Sequence, residues 1–308
     1  PDQNLTFWGT GNPAPWNSEM RPGDNLFSNS VIALDADSGK RKWYFQHIPN
    51  DAWDWDSMNE NIPVDVDVDG KKVKAIANAH KNGFMYLNDR TTGKFIRANS
   101  FTTVDWGTVT KEGKLDVKAD KRPGVNKAAT FCPSYFGGKD WAHMAVNPGT
   151  NVAFVPANEI CVKLHHEETQ YKKGTMYLGA GGEIEKPGTG KFVAFDLNAN
   201  KVAWTVETPS PLQSGSSLAT AGGLAFVGDL EGYLKAYDQK TGKVLWSHRT
   251  PSGIIGGPVT FAVDGKQYVA TPSGYGGAFP LWAGKGVPEH LKRNIVKGAT
   301  LTVYELGE

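Results

Sequence analysis

Four segments of this chain share one grammar, and that repeat constrains the fold more than any other feature. Ala33-Leu34-Asp35-Ala36-Asp37-Ser38-Gly39-Lys40 leads to Trp43, and Ala236-Tyr237-Asp238-Gln239-Lys240-Thr241-Gly242-Lys243 leads to Trp246. Ala194-Phe195-Asp196 leads to Trp204. Tyr86-Leu87-Asn88-Asp89-Arg90-Thr91-Thr92-Gly93-Lys94 is a weaker copy in which Phe95-Ile96 replaces the Trp. Each reads as an alternating strand, a tight turn and a second strand, with Asp capping the turn and Gly supplying positive φ. A second kind of hairpin precedes several of them, as in Asp2–Trp8 and Asn147–Phe154. Two hairpins per unit make a four-stranded sheet, and units recurring at roughly 40–60 residues predict an all-β β-propeller. The Trp after each turn is placed to pack between neighbouring blades.

The repeats predict four to five blades, near residues 1–46, 60–97, 139–207, 214–247 and 255–307, within one propeller domain spanning 1–308. Residues 98–138 have weaker strand patterning and read as an excursion between blades. The 36 Gly and 18 Pro suit a fold with many turns and short strands. A net charge of +1, from 33 basic and 32 acidic residues, leaves no electrostatic case for nucleic acid. No apolar stretch approaches the roughly 20 residues that span a bilayer. The two cysteines, Cys132 and Cys161, are compatible with free thiols in a reducing cell or with one disulfide in an oxidising compartment.

Chemistry concentrates in Asn50–Glu60, NDAWDWDSMNE, where Asp51, Asp54 and Asp56 are interleaved with Trp53 and Trp55. Strand alternation predicts Asp54 and Asp56 on one face and both indoles on the other. Two carboxylates backed by apolar rings are costly unless a cation or a shared proton compensates them. A metal site with an adjacent general base is one reading; an acidic, solvated turn is the other. An EF-hand does not fit, because position 6 counted from Asp54 is Asn59 and position 12 is Asp65. His165-His166-Glu167-Glu168 reads as a surface loop. The glycine runs Gly179–Gly182 and Gly274–Gly277 read as turns rather than phosphate loops.

Longer motifs carry a resemblance. Thr10-Gly11-Asn12-Pro13-Ala14-Pro15-Trp16-Asn17, followed by Arg21-Pro22-Gly23-Asp24-Asn25, is similar to the signature of the pyrroloquinoline quinone (PQQ)-dependent alcohol dehydrogenases. Asp54 then falls where that family's catalytic segment does. The match continues through His80-Lys81-Asn82-Gly83, Gly137-Gly138-Lys139-Asp140-Trp141, Leu218–Gly223 and Gly232–Ala236. It covers essentially the whole chain and corresponds to the C-terminal half of an eight-bladed family. It leads us to expect a chain cut on its N-terminal side, where relatives carry a metal-binding Glu, a vicinal disulfide and the Trp beneath the quinone.

The resemblance implies roles residue by residue. Asn12 matches an amide ligand to the active-site metal, Asp54 the catalytic base and a metal neighbour, and Lys81 a basic residue on the quinone oxygens. Asp140 stands where many relatives carry an Asn near PQQ. Asp56, two positions after the catalytic Asp, resembles the lanthanide-dependent branch, with Ca²⁺ as the alternative ion. A trivalent ion compensates more carboxylate charge than Ca²⁺ does. The family also implies a disulfide between Cys132 and Cys161, and with it a periplasmic location. Phe279 and Trp282 line the substrate entrance by resemblance, with core packing as the alternative.

The expected activity is oxidation of small primary alcohols to aldehydes, with Pro49-Asn50-Asp51 resembling the ethanol-type branch. The chain has no Cys-x-x-Cys-His haem motif, so a separate c-type cytochrome is the electron acceptor the family implies; a homodimer is also compatible with it. The competing reading is a non-catalytic scaffold of PQQ-like repeats, which has no need of Asn12, Asp54 and Lys81 at these spacings.

Overall fold

The computed structural model describes residues 3–184, 186–211, 215–274, 289 and 298–305. The chain divides into two compact units, residues 1–140 with 160–185 and residues 141–159 with 186–308.

In the first unit, β1 (Leu5–Gly9), β2 (Ser30–Asp35) and β3 (Arg41–Gln46) form a three-stranded antiparallel sheet. Next comes the four-stranded meander β4 (Ile62–Val68), β5 (Lys71–Ala79), β6 (Phe84–Asp89) and β7 (Phe95–Ser100). The predicted excursion holds the hairpin β8 (Gly107–Val109) and β9 (Leu115–Val117), then β10 (Ala129–Phe131). The chain enters the second unit through β11 (Ala145–Asn147) and β12 (Val152–Glu159). It returns for β13 (Val162–His166) and β14 (Ala180–Glu183), which extend β10 into a three-stranded sheet.

The second unit resumes with β15 (Thr189–Asp196) and β16 (Lys201–Thr208), completing a four-stranded sheet with β11 and β12. A second meander follows: β17 (Ser217–Ala219), β18 (Leu224–Gly228), β19 (Tyr233–Asp238) and β20 (Val244–Arg249). The last sheet is β21 (Val259–Val263), β22 (Lys266–Gly274) and β23 (Ala299–Glu305). Among the described residues no helix is long and apolar enough to cross a membrane.

The repeat grammar works as read. Asp35 Oδ1 accepts from Ser38 N at 2.9 Å, Asp89 Oδ1 from Thr92 N at 2.8 Å and Asp238 Oδ1 from Thr241 N at 2.8 Å. Gly39, Gly93 and Gly242 follow at φ +66°, +74° and +72°. One further residue in each copy is accommodated by a bulge in the same place, at Ala33/Leu34, Leu87/Asn88 and Ala236/Tyr237.

The conserved grammar also explains how sheets join. Trp43 of β3 lies over the turn glycine of the next sheet, where a Cβ on Gly93 would sit 2.5 Å from the indole, and its Nε1 donates to Arg90 O. Trp204 of β16 repeats this over Gly242, with Nε1 donating to Gln239 O at 2.9 Å. Phe95, the substitute in the weaker copy, lies over Gly113 in the β8–β9 turn. Each glycine is therefore required twice, for its positive φ and for the ring that covers it. Val31, Ala33, Trp43 and Ile76 form the core between the first two sheets. Phe154, Phe192, Ala225 and Tyr237 do so between the β12/β15 and β18/β19 sheets.

Candidate active site

Asn50–Glu60 is not a strand. Asn50 and Asp54 have φ +45° and +66°, which breaks the predicted alternation. The sidedness it implied is reached by another route. Asp51, buried, accepts from Trp53 N through Oδ1 at 3.0 Å and from Trp55 N through Oδ2 at 3.1 Å. This carboxylate hub curls the backbone so that Trp53 and Trp55 stack at 4.8 Å with planes 7° apart. Their indoles donate to Lys121 O and Ser134 O. Arg21 and Arg122 close the other side by donating to Asp51 O and Asn50 O. The segment is therefore pinned by residues of the excursion, and Trp53, Trp55, Trp106 and Phe131 share one core. The acidic, solvated turn is excluded: Asp51 and Asp56 are buried and Asp54 nearly so.

The two carboxylates opposite the indoles meet a single ammonium. Lys81 Nζ lies 3.0 Å from Asp54 Oδ2, 2.9 Å from Asp56 Oδ2 and 3.8 Å from Asp140 Oδ2. Asn12 joins them through its backbone, with N–H donating to Asp56 Oδ1 at 2.7 Å. Asn12, Asp54, Asp56, Lys81 and Asp140 are thus brought together from four separate segments. The backbone and stem of Lys81 are closely packed. Gly138 N donates to Lys81 O, and a Cβ on Gly137 would lie 2.2 Å from Lys81 Cγ. The adjacent Lys139 is itself fully buried and ion-paired with Glu60 at 2.7 Å.

Burial holds the Asp54 carboxyl well above the usual range; Lys81 opposes this, and Asp56 and Asp51 add to it. Burial also raises Asp51. For Lys81 burial alone would favour the neutral amine, but Asp54, Asp56 and Asp140 outweigh it and hold the ammonium well above its ordinary value.

Three carboxyl groups around one ammonium gather hard oxygen donors in one place. That donor set fits a polyvalent oxygen-seeking cation. Among the described residues no three His, Cys, Asp or Glu side chains form a metal-ligating group. Asp54 and Asp56 are the carboxylates beside which Asn12 is placed by its backbone N–H. For an anionic quinone the fitting group is Lys81. Asp140, expected near the cofactor, lies on the same ammonium with Oδ2 at 3.8 Å.

Residues that the sequence reading missed form a buried hydrogen-bonded chain beneath the site. His47 Nδ1 lies 2.9 Å from Ser57 Oγ, which lies 2.8 Å from His80 Nε2. Asn82 N donates to His80 Nδ1, so His80 is the Nε2–H tautomer and donates to Ser57. Burial lowers both imidazoles, His80 to about 3, and both are neutral. Ser57 belongs to the acidic run and His80 opens the His80-Lys81-Asn82-Gly83 motif, but neither segment by itself signals their contact.

The surface loop expected at 165–168 is partly corrected. His165 is exposed and pairs with Glu167, but His166 is buried on β13 with Nε2 donating to Ala52 O at 3.0 Å. Gly181 and Gly182, expected in a turn, lie in β14, where a Cβ would press on His165 and Leu164. Cys132 and Cys161 are disulfide-bonded, tying the end of β10 to the start of β13. Phe279 and Trp282 lie outside the described residues.

Comparison with known proteins places the chain in a family. The model of the PQQ family described as the glucose/ethanol/alcohol dehydrogenase β-propeller domain matches residues 1–116 and 113–269. The quinoprotein alcohol dehydrogenase PedH of Pseudomonas putida is 44% identical over 247 residues, covering 76% of this chain and 41% of that protein. The lanthanide-dependent methanol dehydrogenase of Methylacidiphilum fumariolicum is 40% identical over 246 residues, covering 76% of this chain and 40% of its own. The structure of a europium-containing methanol dehydrogenase superimposes with a TM-score of 0.94 at 36% identity, over 99% of this chain and 58% of that one. The chain spans about two fifths of the length of these curated relatives.

Proposed function

The chain belongs to the PQQ-dependent glucose/ethanol/alcohol dehydrogenase β-propeller family, and on that premise we propose that it forms the catalytic part of a periplasmic quinoprotein that oxidises primary alcohols to aldehydes. The observation that carries this reading is the convergence of Asp54, Asp56 and Asp140 on Lys81 beside Asn12.

When bound, PQQ supplies the two-electron acceptor and the metal ion the Lewis acid that polarises it. The chain's own residues do the rest. Asp54 takes the alcohol's hydroxyl proton, and its raised basicity in a buried, acid-rich setting suits an acceptor for that proton. Lys81 holds positive charge where the reduced cofactor develops negative charge. Asp56 and the Asn12 amide would supply oxygens to the ion, and Asp56 would add the second carboxylate that favours a lanthanide over Ca²⁺. The stacked Trp53 and Trp55 hold this edge rigid from behind and exclude water from it.

The disulfide supports an oxidising compartment, and a separate c-type cytochrome takes the electrons. In the whole protein Asp54→Asn should lower turnover by about 10²-fold or more. Asp56→Ala should abolish La³⁺-supported turnover, and unchanged activity with La³⁺ would overturn the lanthanide reading.

A further inference from the structure

The carboxylate oxygens suited to a metal ion are the same oxygens that Lys81 already holds. Nζ sits at hydrogen-bond distance from Asp54 Oδ2 and Asp56 Oδ2, while Asp140 Oδ2 waits at 3.8 Å on the same ammonium. The aliphatic stem is fixed by Gly137 and by the Gly138 N–H to Lys81 O, so only the end of the side chain has freedom to swing. A displacement of about 1 Å brings Nζ within hydrogen-bond distance of Asp140.

Resting on the metal reading above, we propose that Lys81 is a tethered counter-cation that keeps Asp54 and Asp56 assembled for a metal ion and is handed to Asp140 when the ion arrives. Asp140 is then a positioning residue that acts on the metal through Lys81. Two consequences follow from Coulomb's law. The ammonium opposes the entering ion, and this opposition grows with ionic charge, so Lys81 weakens a trivalent ion more than a divalent one. Asp140 strengthens metal binding chiefly by receiving the displaced ammonium, so its effect depends on Lys81 being present.

The test is a titration of the full chain with Tb³⁺, read by luminescence sensitised by Trp53 and Trp55, with Ca²⁺ affinity from competition. Lys81→Met should raise Tb³⁺ affinity at least about tenfold, and Ca²⁺ affinity by less. Lys81→Gln, which keeps a hydrogen-bond donor on the carboxylates, should shift in the same direction and guards against loss of folding in the Met variant. Asp140→Asn should weaken Tb³⁺ about tenfold in the wild-type background and less than threefold in the Lys81→Met background, a double-mutant cycle that isolates the handover. Equal Asp140→Asn effects in both backgrounds, or no gain in either Lys81 variant, would overturn the proposal while leaving the metal site standing. A wild-type chain that binds no Tb³⁺ would instead remove the metal site itself.

Discussion

Replacing His80 by Gln takes one of two neutral imidazoles out of the chain that runs from His47 through Ser57 to His80, beneath Lys81. Burial, with small contributions from the charges of Lys81 and Lys139, lowers His80 from its ordinary 6.5 to about 3, against the hydrogen bond from Asn82. The unfolded chain protonates this imidazole below about pH 6.5 and the folded chain only near pH 3. Between those values the unfolded state binds more protons, so the stability that neutral His80 confers is fully present above pH 6.5 and is lost as pH falls toward 3. The slope approaches about 1.4 kcal/mol per pH unit, which amounts to roughly 2 kcal/mol between pH 7 and pH 5 and roughly 5 kcal/mol over the full window. Urea unfolding followed by tryptophan fluorescence reports on the Trp53–Trp55–Trp106 core that adjoins it. Carboxylate titrations elsewhere are common to both proteins and cancel in the difference. Between pH 7 and pH 5 the wild type should lose about 2 kcal/mol more than His80→Gln, which has no proton to take up. The variant starts less stable at pH 7, because Ser57 and the Asn82 N–H lose their partner, but that offset does not vary with pH. Parallel curves would show that His80 is not held neutral by burial.

Further outcomes concern the scaffold. Gly93→Ala places a methyl 2.5 Å from the Trp43 indole at φ +74°, whereas Gly39→Ala meets the same φ penalty in open space. The first should cost about 2–4 kcal/mol and the second about 1–2. Equal losses in thermal or urea melts would refute the docking of Trp43 as the joint between sheets. Cys132→Ser with Cys161→Ser opens a bridge between positions 29 apart and should lower the unfolding free energy by about 3 kcal/mol. Wild type under reductant should match the double variant, and a melt unchanged by reductant would contradict it.

The all-β repeat architecture was legible in the residues, because its hairpins are specified locally. Asp35, Asp89 and Asp238 reach N–H groups two or three residues ahead, and the glycines that follow need positive φ whatever surrounds them. Trp43 and Trp204 were legible for the same reason, each ring covering the glycine turn of the next sheet, whereas Trp246 stays exposed with its edge against Tyr304. The motif order likewise pointed to Asn12, Asp54, Asp56, Lys81 and Asp140. What it could not supply was their electrostatic relation. Lys81 is 27 residues from Asp54 in sequence and meets it at 3.0 Å only because separate loops converge. The strand predicted through Asp54 failed because Asp51 captures the N–H groups of both Trp53 and Trp55 in a local turn, with Asn50 and Asp54 at positive φ that an extended strand does not adopt. His47, Ser57 and His80 come from three segments and become a chain only when buried together. A turn depends on neighbours a few residues away; a charge depends on every group that folding brings within a few ångströms, and on how much water it removes. Only the tertiary structure decided that two carboxylates proposed for a metal and a base share one ammonium, with a third carboxylate within reach to receive it.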